Sequence, residues 1–254
     1  MYLQNSLRSF YFFVAFIVIA STPLLAQDEL NPDRPDQTEE VHLVPRGRLQ
    51  LEAGVMSNRF DTGRNALVVR MMLRYGIMKG VEIGLLAEEG RERNRYIDET
   101  VQSTYPLALR LKVALLEKHE WLPDMSLISY VQLPGAKNDK GEHAKTSIAA
   151  LLAFLHELSD KWKLEYNAGF QQEAFSSELG WLLNTSLHYK VTEKLEAFGG
   201  SYSQFQREEK PFHNVDIGIG YLLRKNLQVD IAAGTSVNRD AGNQFLTAGF
   251  SYRL

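Results

Sequence analysis

Six histidines, at positions 42, 119, 143, 156, 188 and 213, are the residues to weigh first for acid–base or metal chemistry. The nearest two in sequence are His143 and His156, too far apart for a pair of ligands on one turn or strand. A lipid hydrolase of the outer-membrane type needs a serine close to a histidine on one face, and no histidine here stands two residues before a serine. His156 and Ser159 flank a turn, and Ser186 with His188 share a face; the latter is the best nucleophile and base pair the chain offers. There is no cysteine, which removes disulfides, thiolate metal sites and cysteine nucleophiles together. Gly218 and Gly220 sit in an alternating apolar stretch, not in a phosphate-cradling loop between a strand and a helix. The expectation is a non-enzyme with no catalytic residue, no metal and no cofactor.

Charge is the more informative chemistry. Glu52, Arg70, Arg74, Glu82, Arg110, Lys112, Glu165, His188, Glu196, Asp216 and Asp230 each stand between apolar neighbours at alternate positions. One reading has opposite charges facing one another and filling an interior, with Arg74 opposite Glu82 and His188 opposite Glu196, pairings that parity allows. The other makes Arg70, Arg74, Arg110 and Lys112 a basic ladder facing acidic strands, the arrangement by which channel walls orient polar permeants.

The elements that must hold these charges are strands. Leu49, Leu51, Ala53 and Val55 alternate with Gln50, Glu52 and Gly54; Val215, Ile217, Ile219 and Tyr221 alternate with Asp216, Gly218 and Gly220. Similar alternation covers 67–75, 81–85, 107–115, 162–170, 181–189, 227–232 and 246–254, and successive strand side chains point to opposite faces. Weaker segments near 125–133, 147–157 and 195–202 bring the expected number of strands to about twelve. Residues 146–158 read equally as a helix, being rich in Ala and Leu, and Gly199-Gly200 weakens its own segment or marks a bend.

The connections separate a soluble barrel from a membrane one. They run long (57–65, 89–103, 134–146, 171–178, 203–214) in alternation with shorter ones (76–80, 117–124, 159–161, 191–193, 224–226). A transmembrane barrel with tight periplasmic turns and longer external loops requires that order. Tyr75, Tyr105, Trp162, Trp181, Tyr189, Tyr221 and Tyr252 recur near strand ends, as interfacial girdles do. The fold expected is all-β, an antiparallel transmembrane β-barrel over residues 48–254.

Arg8, an apolar core Phe10–Ala20 and a small residue, Ala26, before Gln27 have the form of a signal peptide over 1–26. The competing reading, an anchor over Phe10–Ala26, is interrupted by Ser21-Thr22-Pro23 and is short for a span. Export to the cell outer membrane follows. The formal charge of -3 gives no basic patch for nucleic acid. Between leader and barrel, residues 27–47 carry three prolines among acidic residues and lack periodicity. They form either a loose periplasmic leader or a segment folded into the lumen, where Asp33, Arg34 and Asp36 would meet the charged wall.

A resemblance then emerges. Asp33-Arg34-Pro35-Asp36-Gln37-Thr38-Glu39, Val44-Pro45-Arg46-Gly47 and Leu49-Gln50-Leu51-Glu52-Ala53-Gly54 resemble the opening of the outer-membrane transporter family of the MetA pathway of phenol degradation. Leu73-Arg74-Tyr75-Gly76, Val81-Glu82-Ile83-Gly84, Tyr166-Asn167-Ala168-Gly169 and the closing Thr247–Leu254 fit as well, so the similarity spans most of 31–254. The resemblance implies an outer-membrane β-barrel passing small molecules, hydrophobic or aromatic compounds among them, and it brings no catalytic residue. Partners would be outer-membrane lipid, a small-molecule permeant and the barrel-assembly machinery; Leu254 stands where such strands commonly end in Phe. Two other functions stay open: a closed structural or binding barrel acting through Glu89–Ser103, Pro134–Thr146 and Ser203–Asn214, and a lipid hydrolase using Ser186.

Overall fold

Alternating segments of this chain pair edge to edge because each has one apolar and one polar face, and only closure of the sheet leaves no unpaired backbone edge in lipid. The computed structural model describes residues 30–60, 63–94, 99–117, 121–136, 143–207, 210–238 and 243–254; the leader expected over 1–26 lies outside them. The strands are β1 (Leu49–Phe60), β2 (Arg64–Met78), β3 (Val81–Asn94), β4 (Glu99–Thr104), β5 (Ala108–Leu116), β6 (Asp124–Gln132), β7 (Ser147–Glu157), β8 (Trp162–Gln172), β9 (Leu179–Lys190), β10 (Leu195–Gln206), β11 (Phe212–Arg224), β12 (Leu227–Ser236) and β13 (Asn243–Arg253). Each pairs antiparallel with its neighbours, β1 pairs with β13, and β2 with β3 completes the ring. Strand β4 continues β5 along the same neighbour, β3, so the two form one wall strand broken at Pro106, which has no N–H to donate. The result is a closed twelve-stranded antiparallel barrel.

Its faces are inverted relative to a water-soluble protein. Outside, Leu67, Leu109, Leu183, Ile217, Ile231 and Leu246 are between 45 % and 68 % exposed, while inside Arg74, Glu82 and Lys112 are 0 % exposed. Such an exterior is stable against hydrocarbon and costly against water. Tyr75, Trp162, Trp181 and Tyr221 are exposed on this outer surface, and Trp162 packs on Tyr189 with ring centroids 4.5 Å apart. Tyr105 differs from its expected place in the girdle: beside Pro106 it lies against Gly90 and faces the lumen.

Within the segment 146–158, Ser147–Glu157 form a strand and no helix. Its alternation is blurred because Leu151, Ala153 and Leu155 point inward and are buried, so both faces are apolar. Three connections expected to be long are largely strand. Residues 57–65 reduce to a short link between β1 and β2, Glu89–Ser103 is mostly the β3–β4 hairpin, and Ser203–Asn214 is taken up by β10 and β11. Beyond the apolar belt both faces of a hairpin are polar, so the ladder continues while its hydrophobic signal stops. Pro134–Thr146 keeps the character of a loop at its described ends.

Register departs from the expected pairings by two residues. Arg74 lies opposite Gly84 and Glu82 opposite Gly76; His188 lies opposite Phe198 and Glu196 opposite Lys190. The β2–β3 turn is Lys79-Gly80, with Gly80 at φ 75° and a bulge between Gly76 and Met78. A two-residue shift preserves facing, so the same side chains still meet, diagonally.

Candidate functional site in the barrel lumen

Glu52, Arg70, Arg74, Glu82, Arg110, Lys112, Glu165, His188, Glu196, Asp216 and Asp230 each sit at the inward-facing parity of their strand, even-numbered for all but Glu165, whose strand β8 turns its odd positions inward with Asn167. Residues 30–47 run inside the ring they form. The segment enters at the end that carries the tight turns, loops through the lumen and returns to β1, where Gly47 N donates to Gly76 O at 2.8 Å. At Gly76 a Cβ would collide with the carbonyls of Val44 and Pro45, so glycine is what lets the segment's backbone pass the wall. Asp33 Oδ1 accepts from Glu40 N at 3.2 Å and closes the loop on itself.

Three charge clusters fasten the loop. In the first, Arg74 reaches Glu52 at 2.7 Å, Glu82 at 2.9 Å and Asp33 at 3.1 Å. Arg110 reaches Glu82 at 2.6 Å, Glu39 at 2.8 Å and Asp33 at 2.9 Å. Lys112 donates to the Glu40 and His42 carbonyls, and Tyr130 Oη donates to Glu39 at 2.6 Å. In the second, Arg34 lies across Gly54 and Gly249, which face each other in register, and pairs with Asp230 at 2.9 Å. In the third, His188 holds Glu196 on Nδ1 at 2.9 Å and faces Asp36 from Nε2 at 3.2 Å, with Glu165 beside them.

Neutral groups complete the grip. Asn167 exchanges two hydrogen bonds with the Glu39 backbone, at 2.6 and 3.0 Å, and Asn184 donates to Gln37 O at 2.7 Å. Val41, 2 % exposed, packs on Ile128, Ala153 and Leu155 of the inner wall. At the turn end His42 lies 2.8 Å from Glu40 and 3.3 Å from Asp124, and the hydrogen bond to Glu40 raises its pKa above the ordinary imidazole value. Sequence reasoning had not singled out Glu39, Tyr130, Asn167 or Asn184. The inward parity of the last three was the available signal.

Of the basic ladder, Arg74, Arg110 and Lys112 are taken up by carboxylates and carbonyls of the segment and wall. Arg70 stands apart, paired with Glu88 at 2.6 Å and turned toward the other end. The loop therefore leaves two vestibules. One, of about 390 Å³ at the turn end, is lined by Leu30, Lys163, Glu165, His188 and Glu196. The other, of about 490 Å³ at the opposite end, is lined by Met56, Met72, Leu86, Tyr105 and Tyr202 together with Arg70 and a set of amides. Arg34, Pro35, Asp36 and Thr38 line both and form the septum between them.

Neither Ser–His candidate forms a nucleophile–base pair. Both nitrogens of His188 face carboxylates, and His156 Nε2 is 3.2 Å from Tyr166 Oη. A different contact, Ser203 Oγ to His213 Nδ1 at 2.8 Å, links β10 and β11 near the far rim, and the ring is steadied by Phe205.

Among solved structures, the COG4313 outer membrane channel from Pseudomonas putida F1 superposes with a TM-score of 0.68 at 12% identity, covering 89% of this chain and 100% of that one. The NanC porin gives a TM-score of 0.58 at 9% identity, covering 80% of this chain and 100% of that one. The CymD monoaromatic hydrocarbon channel gives 0.50 at 9% identity, covering 81% and 87% respectively. At these identities the likeness is one of fold, that of a membrane barrel. No curated protein matches the chain in sequence. The model of one protein family, described as "Putative MetA-pathway of phenol degradation", matches residues 32–254, and the chain belongs to that family.

Proposed function

We propose that this protein is an outer-membrane channel for small molecules, with its turn end toward the periplasm and its lumen constricted by the septum Arg34–Thr38. The observation that carries this reading is the pair of vestibules, about 390 and 490 Å³, that meet at one thin layer of chain with no wall strand between them. The larger vestibule combines Met56, Met72, Leu86, Tyr105 and Tyr202 with amide side chains, a lining suited to compact apolar or aromatic solutes that carry one or two polar groups. Lipid against the outer belt and the machinery that assembles outer-membrane barrels are the partners this reading requires. Passage would be passive, with no catalytic step.

Planar-bilayer recording of the folded, full-length protein tests the proposal. Discrete conductance steps are expected. A barrel that inserts, shows heat-shifted gel mobility and carries no current would overturn it in favour of a closed barrel, the reading to which the ion pairs across the lumen lend weight.

A further inference from the structure

The third charge cluster is built differently from the first. Around His188 stand Asp36, Glu165 and Glu196, with Asp216 behind them; Lys163, on the same face of β8 as Glu165, and Lys190, opposite Glu196 and paired with Glu193, are ammonium groups lining the same vestibule. Within this group Asp36 Oδ2, His188 Nε2, Asp216 Oδ2 and Ser186 Oγ are buried without a hydrogen-bond partner. Ser186 is 0 % exposed, Asp216 4 %, and the Asp36 side chain 7 %. Both Asp216 and Ser186 border the same gap, since a Cβ on Gly200 would meet Asp216 Oδ1 at 2.6 Å and Ser186 Oγ at 3.5 Å. Asp36 Oδ2 has His188 Nε2 at 3.2 Å, so the buried carboxylates Asp36, Glu165 and Asp216 share one imidazole, a shortage of positive charge that a bound cation would make good.

We infer that Asp36, Glu165 and His188 form a binding site for a divalent transition-metal cation, of which zinc is the type. One ligand atom from each lies within 4.8 Å of the others, contributed by the N-terminal loop, β8 and β9. The Asp36 Oδ2 to His188 Nε2 separation of 3.2 Å already matches the ligand–ligand edge of roughly 3.3 Å in a tetrahedron with metal–ligand bonds of about 2.0–2.1 Å. Glu196 lies 2.9 Å from His188 Nδ1, placed to accept its N–H when Nε2 binds a metal, the second-layer carboxylate that metal-bound histidines usually have. An imidazole among the donors favours zinc-like ions over calcium or magnesium, which prefer oxygen. Asp36, Glu165, His188 and Glu196 all line the turn-end vestibule, which provides the entry path. A bound ion would tie the septum to two wall strands. A protonated His188 acting alone as counter-ion to Asp36 is the competing arrangement.

The experiment uses the full-length protein folded in detergent, stripped with EDTA and dialysed against buffered zinc, with bound metal counted by atomic emission. It measures no current and so stands or falls independently of the channel reading. About one zinc per chain is expected. His188→Ala and Glu165→Gln should each weaken binding at least about 100-fold, and Glu196→Gln, which only orients the imidazole, by about 10-fold. Glu88→Gln, in the other vestibule, should bind as the wild type does. Heat-shifted gel mobility shows which variants are folded, and either of the two ligand variants suffices. Zinc binding by a folded Glu165→Gln or His188→Ala chain equal to wild type, or no zinc on the wild type, would overturn the inference.

Discussion

The clusters around Arg110 and around His188 lie in the same lumen, touch the same loop and differ in how their charges are closed. At Arg110 three carboxylates, Asp33, Glu39 and Glu82, meet a guanidinium whose neighbours Arg74 and Lys112 add two further cations; Glu39 and Glu82 accept hydrogen bonds, and Asp33 Oδ2, which has no hydrogen bond in good geometry, still has two guanidinium nitrogens within 3.1 Å. At His188 the carboxylates Asp36, Glu165 and Glu196 surround one imidazole, with Lys163 and Lys190 lining the same vestibule, and the buried Asp36 Oδ2, Asp216 Oδ2 and Ser186 Oγ have no hydrogen-bond partner. The first cluster is a finished latch for the loop; the second is an unfinished one. The difference teaches that a charged lumen is not one device. Balanced charge fixes a segment in place, whereas surplus buried charge of one sign leaves coordination for something that comes from solution.

Removing a cation from the latch should give the largest effect. Arg110→Met leaves three buried carboxylates short of a partner and should cost about 3–5 kcal/mol in urea unfolding, the scale of breaking a buried ion pair on one side. A loss under about 1 kcal/mol would erase the distinction between the clusters. Next is the apolar part of the latch. Val41→Ala removes two buried methyl equivalents and should cost about 1.6 kcal/mol in the same assay, at about 0.8 kcal/mol per group; no change would mean the loop does not pack on Ile128 and Ala153 in solution.

The open cluster should respond with the opposite sign. Asp216→Asn removes one of its crowded carboxylates, so stability measured without metal should hold or rise by up to about 1 kcal/mol. A clear loss would show that Asp216 has a partner of its own. The smallest effect is set by pH at the loop's exit. His42 is held above its ordinary pKa by its hydrogen bond to Glu40 and then by the charge of Asp124. A raised folded pKa means that this contact contributes fully below the unfolded value of 6.5 and fades as pH rises through the raised one. Hydrogen exchange at the amides of residues 42–47 should therefore gain protection toward acid by well under 1 kcal/mol, as befits a partly exposed pair. The same profile in His42→Gln would remove His42 as the cause.

The wall was legible in the sequence because lipid enforces a strict period of two. Every charge assigned to the inner face, from Glu52 to Asp230, follows from parity, and a register error of two residues at Arg74 and His188 left that facing intact. Legibility ended where the enforcing solvent ended. Past the belt, Glu89–Ser103 and Ser203–Asn214 look like loops because water on both faces imposes no alternation, and Pro106 breaks the phase that would have placed Tyr105 in the girdle. The loop's path was not legible. It has no periodicity, and its partners Tyr130, Asn167 and Asn184 stand 91 to 147 residues away along the chain. Histidine spacing likewise gave no hint of Asp36, Glu165 and His188, since each arrives on a different element.

The central claim is that Arg34–Thr38 is the layer that divides an otherwise continuous lumen. Single-channel conductance of the folded protein lacking residues 30–44, compared with the full chain in the same bilayer, tests it most directly. A several-fold larger, steady conductance in the deletion, with heat-shifted mobility showing an intact barrel, is the predicted result. Equal conductance in the two proteins would contradict it and move the constriction to the wall itself.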